Sequence, residues 1–152
     1  MKDDPRVLPL GRWLRSTKIN ELPQLLNILK GDMSIVGPRP QTRRCFDAFP
    51  PDSKERIMEV RPGLSGVGSI IFRDEEGMMH ANAEPEKFYD TVIMPYKGRL
   101  EEWYVGNRGL GTYLRVIFIT AWVVLFPRSK VPWRLFSDLP RPPVELERFL
   151  GV

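Results

Sequence analysis

Lys18 to Pro40 reads KINELPQLLNILKGDMSIVGPRP, and its polar residues are the first candidates for chemistry in the chain. An amide, Asn20, stands beside a carboxylate, Glu21, where a run of leucines begins. Residues that open a helix face unpaired N–H donors and the positive end of its dipole, so an anion is favoured there. Arg15 lies five residues upstream and Arg39 just beyond the leucines, so two planar guanidinium forks can approach one anion. Glu21 can hold Mg²⁺ against phosphate oxygens, and Asp32, in GDMS, is a second candidate ligand. The same residues also describe a well-capped helix without a ligand, and local chemistry leaves both readings open.

The elements that must position these groups are short. Asn20 is a natural N-cap, because its side-chain oxygen can accept from the free N–H groups of the first turn. Leu22, Leu25, Leu26 and Leu29 then fall at i, i+3, i+4 and i+7, one face of a helix. Pro23 is tolerated in that first turn, and Gly31 is placed to end the helix. Gly37 to Pro40, GPRP, can neither continue a helix nor sit in a central strand, so it reads as a stiff extended turn.

Downstream, a helix is expected from Pro51 to Val60 with Asp52 or Ser53 as its cap, followed by a turn at Arg61 to Gly63. Val67 to Phe72, VGSIIF, is β-branched and apolar and reads as a short strand. Glu84 to Met94 and Pro95 to Val105 read as two helices broken at Pro95. Tyr113 to Phe126 is a strongly apolar helix stopped by Pro127, and the proline-punctuated end closes with one short helix. Phe72 to Glu76, FRDEE, reads as a solvated acidic loop, and His80 as a surface residue.

The chain has 152 residues, 42% hydrophobic and 28% charged, which fits one folded domain. A net charge of +4 favours acidic partners: phosphates, nucleic acid or an anionic membrane. That charge is concentrated in residues 1–44, which carry nine Lys/Arg against four Asp/Glu. One cysteine, Cys45, and one histidine exclude an intrachain disulfide and a zinc-finger ligand set. The opening MKDDPRVLPLGRW is charged and lacks the apolar core of a secretory signal. The longest apolar run, the eleven residues from Val116 to Phe126, covers as a helix only about half of a ~30 Å hydrocarbon core.

Taken together, GRWLRSTKINELPQLLNILKGDMSIVGPRP and the later VRPGLSGVGSI resemble the catalytic segment of the bacterial sugar transferases, the monotopic phosphoglycosyl transferases. The resemblance runs from about Asp3 to Pro127. It implies transfer of a sugar-1-phosphate from a UDP-sugar to polyprenyl phosphate, with release of UMP, a requirement for Mg²⁺ and a role in starting polysaccharide or glycoconjugate synthesis. The family's Asp-Glu dyad divides the reaction into two steps. The Asp attacks the β-phosphorus, and the lipid phosphate then displaces it from the phosphosugar-enzyme. By resemblance the dyad maps to Asn20 and Glu21, the basic phosphate-facing positions to Arg15 and Arg39, the matching GDMS acid to Asp32, and the second motif to Arg61 and Pro62.

Three departures stand out. The nucleophile position holds Asn20, a neutral amide, which is a poor nucleophile at phosphorus and a weaker Mg²⁺ ligand than a carboxylate. Three explanations remain open: an impaired relative, replacement by Glu21 or Asp32, or a variant route. The resemblance also implies a re-entrant membrane helix and a basic strand before the segment seen here, and the chain opens around the DDPR that follows them in the family. Tyr113 stands where an acid is expected.

The expected fold is α+β and predominantly helical, with amphipathic interfacial helices and a short β element. Residues 1–130 form the sugar transferase catalytic domain and 131–152 a proline-rich C-terminal tail. The apolar helix with Trp122, Arg115 and the following RSKVPWR has the aromatic and basic flanks of an interfacial element; a buried core helix is the other reading. The resemblance places the protein at the cytoplasmic face of the bacterial inner membrane; the three acids of FRDEE, read as a solvated loop, could alternatively contact the sugar or a metal. A different class of function is a catalytically impaired membrane-associated module that binds UDP-sugar or lipid phosphate without turnover. Nucleic acid is not expected as a partner, because aromatics are not interleaved with the basic residues as in stacking platforms.

Overall fold

The computed structural model describes residues 22–126 and 129–151. The leucine-faced helix α1 spans Leu22–Lys30. Gly31 ends it in the left-handed region, at φ 87°, where a Cβ would be strained. Its N–H donates to Ile28 O at 3.0 Å, and the Asp32 and Met33 N–H groups both donate to Asn27 O.

Strand β1, Ser34–Val36, follows and pairs in parallel with β2, Gly63–Ser65, in the register Ser34 to Gly63 and Val36 to Ser65. Parallel strands require a long crossover. Here it carries α2, Arg43–Asp47, capped by the Thr42 hydroxyl, and α3, Pro51–Met58, with proline in its first turn. Two three-residue strands cannot stand alone. The Tyr104 hydroxyl, buried, donates to Val36 O at 3.3 Å, and the Ser65 and Thr120 hydroxyls lie 2.8 Å apart. These bonds tie both strands to later helices.

Val67–Ile71 is a helix, α4, where β-branched composition pointed to a strand. Val67, Gly68, Ile70 and Ile71 are all buried, so no apolar periodicity marks the segment as helical. Tertiary packing against α7 overrides the weak β-propensity. The FRDEE stretch is likewise structured. Phe72 is buried and α5, Glu75–His80, begins within it.

No break occurs at Pro95. Helix α6, Pro85–Phe88, runs through a π-helical turn, Tyr89–Ile93, into α7, Met94–Gly106, which carries Pro95 in its first turn. The Met94 N–H donates five residues back to Tyr89 O, and this wider ladder accommodates the missing proline donor. Helix α7 is the hub. Met94, Tyr96, Leu100, Tyr104 and Val105 are buried with Lys97 and Glu101, and the helix packs on α3, α4 and the π-turn.

Helix α8, Leu110–Leu125, buries Val116, Ile119 and Val123 at i, i+3 and i+7 and exposes most of the remainder. Short helices α9, Val131–Leu135, and α10, Val144–Leu150, complete the described chain. The residues beyond 130 return to the core through Phe136, Leu139 and Leu146, and the Tyr96 hydroxyl donates to Pro140 O at 2.7 Å.

Candidate active-site cleft

The two glycine-containing motifs are built against each other. The Gly37 N–H donates to Ser65 O and the Gly63 N–H to Pro38 O, each at 2.9 Å. A Cβ on Gly37 would lie 2.6 Å from Arg61 O, and one on Gly63 would overlap the backbone of Gly37. GPRP and RPG therefore meet backbone to backbone, and glycine is the residue that permits it. From this junction Pro38 is buried while Arg39, between two prolines of fixed φ, is exposed.

Arg39 lines a cleft of about 840 Å³. Buried Val36, Ile70, Phe72, Val123 and Lys97 contribute to its lining. Exposed Leu25 of α1, Ile35 of β1, and Ile117, Ala121 and Val124 of α8 contribute apolar rim. Arg73 and Glu75 complete a charged wall with Arg39 and Lys97.

Lys97, only 5% exposed, donates to both oxygens of Glu75, at 2.9 and 3.2 Å. One turn further along α7 stands Glu101, 2% exposed. Its Oε1 accepts from the Gly68 N–H at 3.2 Å, while its Oε2 has no partner. Burial pushes the Glu101 carboxyl up to about 8, against the opposing influence of the Lys97 charge and the Gly68 N–H, so at neutral pH it is mostly protonated.

Of the residues singled out in the sequence, Arg39 is the one placed on this cleft. Asp32 and Arg61 are exposed and are not part of its lining. Arg61 lies against the C-terminal end of α1, its Nη1 3.8 Å from where a Gly31 Cβ would be. Arg15, Asn20 and Glu21 lie outside the described residues. The Tyr113 hydroxyl lies 3.5 Å from Ser34 Oγ, at the foot of β1. His80 sits at the surface, 3.8 Å from Glu76.

Lys97, Glu75, Arg73 and Glu101 were not singled out individually. The available signal was Lys97 and Glu101 at i, i+4, which share one face of the helix, where a buried charged residue must find a partner. Among the described residues no three His, Cys, Asp or Glu side chains converge as a metal site. Glu75, the carboxylate of the described cleft lining, faces an ammonium.

The cleft thus combines charged side chains with apolar walls on a helical scaffold with a minimal parallel sheet. The profile of the Bacterial sugar transferase family matches residues 1–127, and the chain belongs to that family. Over 125 residues, 82% of this chain, it is 36% identical to the undecaprenyl-phosphate galactose phosphotransferase of Salmonella typhimurium, of which that match covers 23%. Over 125 residues it is 31% identical to galactosyl transferase CpsE of Streptococcus agalactiae, covering 82% of this chain and 24% of that protein. Over 72 residues it is 46% identical to the UDP-glucose:undecaprenyl-phosphate glucose-1-phosphate transferase of Caulobacter vibrioides, covering 45% of this chain and 27% of that protein. The chain thus spans about a quarter of the length of these relatives.

Proposed function

We propose that the chain carries the catalytic segment of a transferase that moves a sugar-1-phosphate from a UDP-sugar to polyprenyl phosphate at the cytoplasmic face of the bacterial inner membrane. The observation that supports this best is the cleft's mixed character. Arg39 and Arg73 supply cationic groups for phosphate, while Leu25, Ile35, Ile117 and Val124 give an apolar path for a prenyl tail. In a two-step transfer, donor and acceptor phosphates occupy the same place in turn, so one such cleft serves both.

In the reading proposed here, Arg15 and Arg39 hold the phosphates, with Arg61 at the neighbouring motif. Glu21 and Asp32 are the carboxylates that would hold Mg²⁺, which supplies positive charge against phosphate oxygens when bound. Asn20 occupies the position from which a carboxylate would attack phosphorus and expel UMP. An amide oxygen there is a far weaker nucleophile. That single residue favours a second reading, a module that binds UDP-sugar or lipid phosphate without turnover.

UMP release from UDP-sugars with Mg²⁺ and detergent-dispersed polyprenyl phosphate tests both, for the chain beside its Asn20→Asp variant. Release by the unmodified chain, abolished by Glu21→Ala, is the expected outcome of the transferase reading. Release only after Asn20→Asp would favour the binding module, and release by neither protein would reject the transferase reading. Arg39→Ala should weaken substrate binding more than Arg44→Ala, because Arg44 is engaged with Asp90 at 3.1 Å away from the cleft lining.

A further inference from the structure

Glu75 is held in a way that phosphate binding does not explain. Its carboxylate is partly exposed on the cleft, yet both oxygens are fixed from behind by the buried Lys97 ammonium at 2.9 and 3.2 Å. A carboxylate oxygen carries two lone pairs, so this grip uses one on each oxygen and leaves one on each to accept. Two acceptors at the fixed spacing of one carboxylate suit a pair of adjacent hydroxyl groups. They repel a phosphate. Phe72 lines the same cleft with the Lys97 ammonium 5.9 Å from its ring centroid, adding an apolar surface beside the carboxylate. Arg39 and Arg73 line the same cleft.

We infer that Glu75, positioned by Lys97, accepts hydrogen bonds from vicinal hydroxyls of the hexose in the nucleotide-sugar donor and so selects among sugars. This rests on the donor reading proposed above and names the part of that site which distinguishes one sugar from another. Lys97 acts here through Glu75, as a positioning residue. A site built to hydrogen-bond a hydroxyl rejects an analogue that lacks or inverts it, because its own polar group is left unpaired.

The test is calorimetric titration of the chain with UDP, UDP-glucose and UDP-galactose, beside Glu75→Gln and Lys97→Met, with thermal melts to confirm that each variant folds. For Glu75→Gln the expected result is unchanged UDP affinity, at least about tenfold weaker binding of the preferred UDP-hexose and a collapsed ratio between the two epimers. Lys97→Met should move the ratio in the same direction. Equal weakening of UDP and UDP-hexose would overturn the inference by placing Glu75 on the phosphates. An unchanged epimer ratio in a folded Glu75→Gln protein would overturn it while leaving the donor reading intact. Failure of the unmodified chain to bind any of the three would overturn the donor reading, and this inference with it.

Discussion

Glu101 shows what a single buried carboxyl costs and where that cost becomes visible. Its ordinary value is 4.5, and burial in α7 raises it to about 8. Between those values the folded chain keeps a proton that the unfolded chain has released. Folding then binds protons, so this group's contribution to stability falls as pH rises from about 4.5 to about 8 and is flat beyond. Glu101→Gln keeps an acceptor for the Gly68 N–H and removes the titration. The variant should gain on the parent protein as pH rises, by a few kcal/mol in order of magnitude above pH 8. Thermal melts of both proteins from pH 5 to 9 check this, and parallel curves would show that Glu101 titrates normally.

Among the elements, the β1–β2 junction is the least tolerant. Adding one methyl to Gly63 drives it into the Gly37 backbone, which cannot move without breaking the paired N–H bonds to Ser65 O and Pro38 O. Gly63→Ala should cost about 1–3 kcal/mol or more and displace Arg39. Gly111→Ala, in the first turn of α8 with nothing within 4 Å of the added carbon, should be neutral or stabilise by up to about 0.5 kcal/mol. Urea melts of the two variants give the comparison.

The contrast also explains what could be read along the chain. The leucine face and Gly31 mark α1 locally, prolines in first turns mark α3, and the apolar run marks α8. Such signals lie within one or two turns of one another. The pairing of Ser34–Val36 with Gly63–Ser65 is joined by a long crossover and made by strands of three residues, too short for any alternation to register. The cleft follows the same division. Arg39 is conspicuous because prolines flank it, whereas the Glu75–Lys97 grip exists only once α5 and α7 have met. The acidic stretch containing Glu75 resembles a solvated loop until that ammonium is placed behind it.

At the scale of the whole molecule, the exposed apolar residues are not scattered. Leu25, Leu26 and Leu29 of α1 are exposed, so the leucine face is not buried among the described residues. On α8, Leu114, Ile117, Phe118, Val124 and Leu125 are exposed opposite the buried stripe. Members of both sets line the one cleft. No helix among the described residues is long and apolar enough to cross a membrane. A surface of this kind, with Arg115, Lys130 and Arg134 exposed on and beyond α8, suits a helix lying in the headgroup layer of an anionic bilayer. It would also turn the cleft's apolar rim towards the lipid. Replacing Leu114 and Phe118, one turn apart on the exposed face, by glutamate should leave the core intact, since Val116, Ile119 and Val123 remain in place. Each side chain buried in lipid contributes roughly 1.5–3 kcal/mol, so the double variant should partition onto phosphatidylglycerol vesicles at least about a hundredfold more weakly. Vesicle flotation reads this directly. Raising the salt should weaken the parent protein's binding only in part, because screening removes the lysine and arginine attraction but not the apolar contact. Equal flotation of parent and variant would locate the lipid contact elsewhere, and binding lost entirely to salt would reduce the face to a purely electrostatic one.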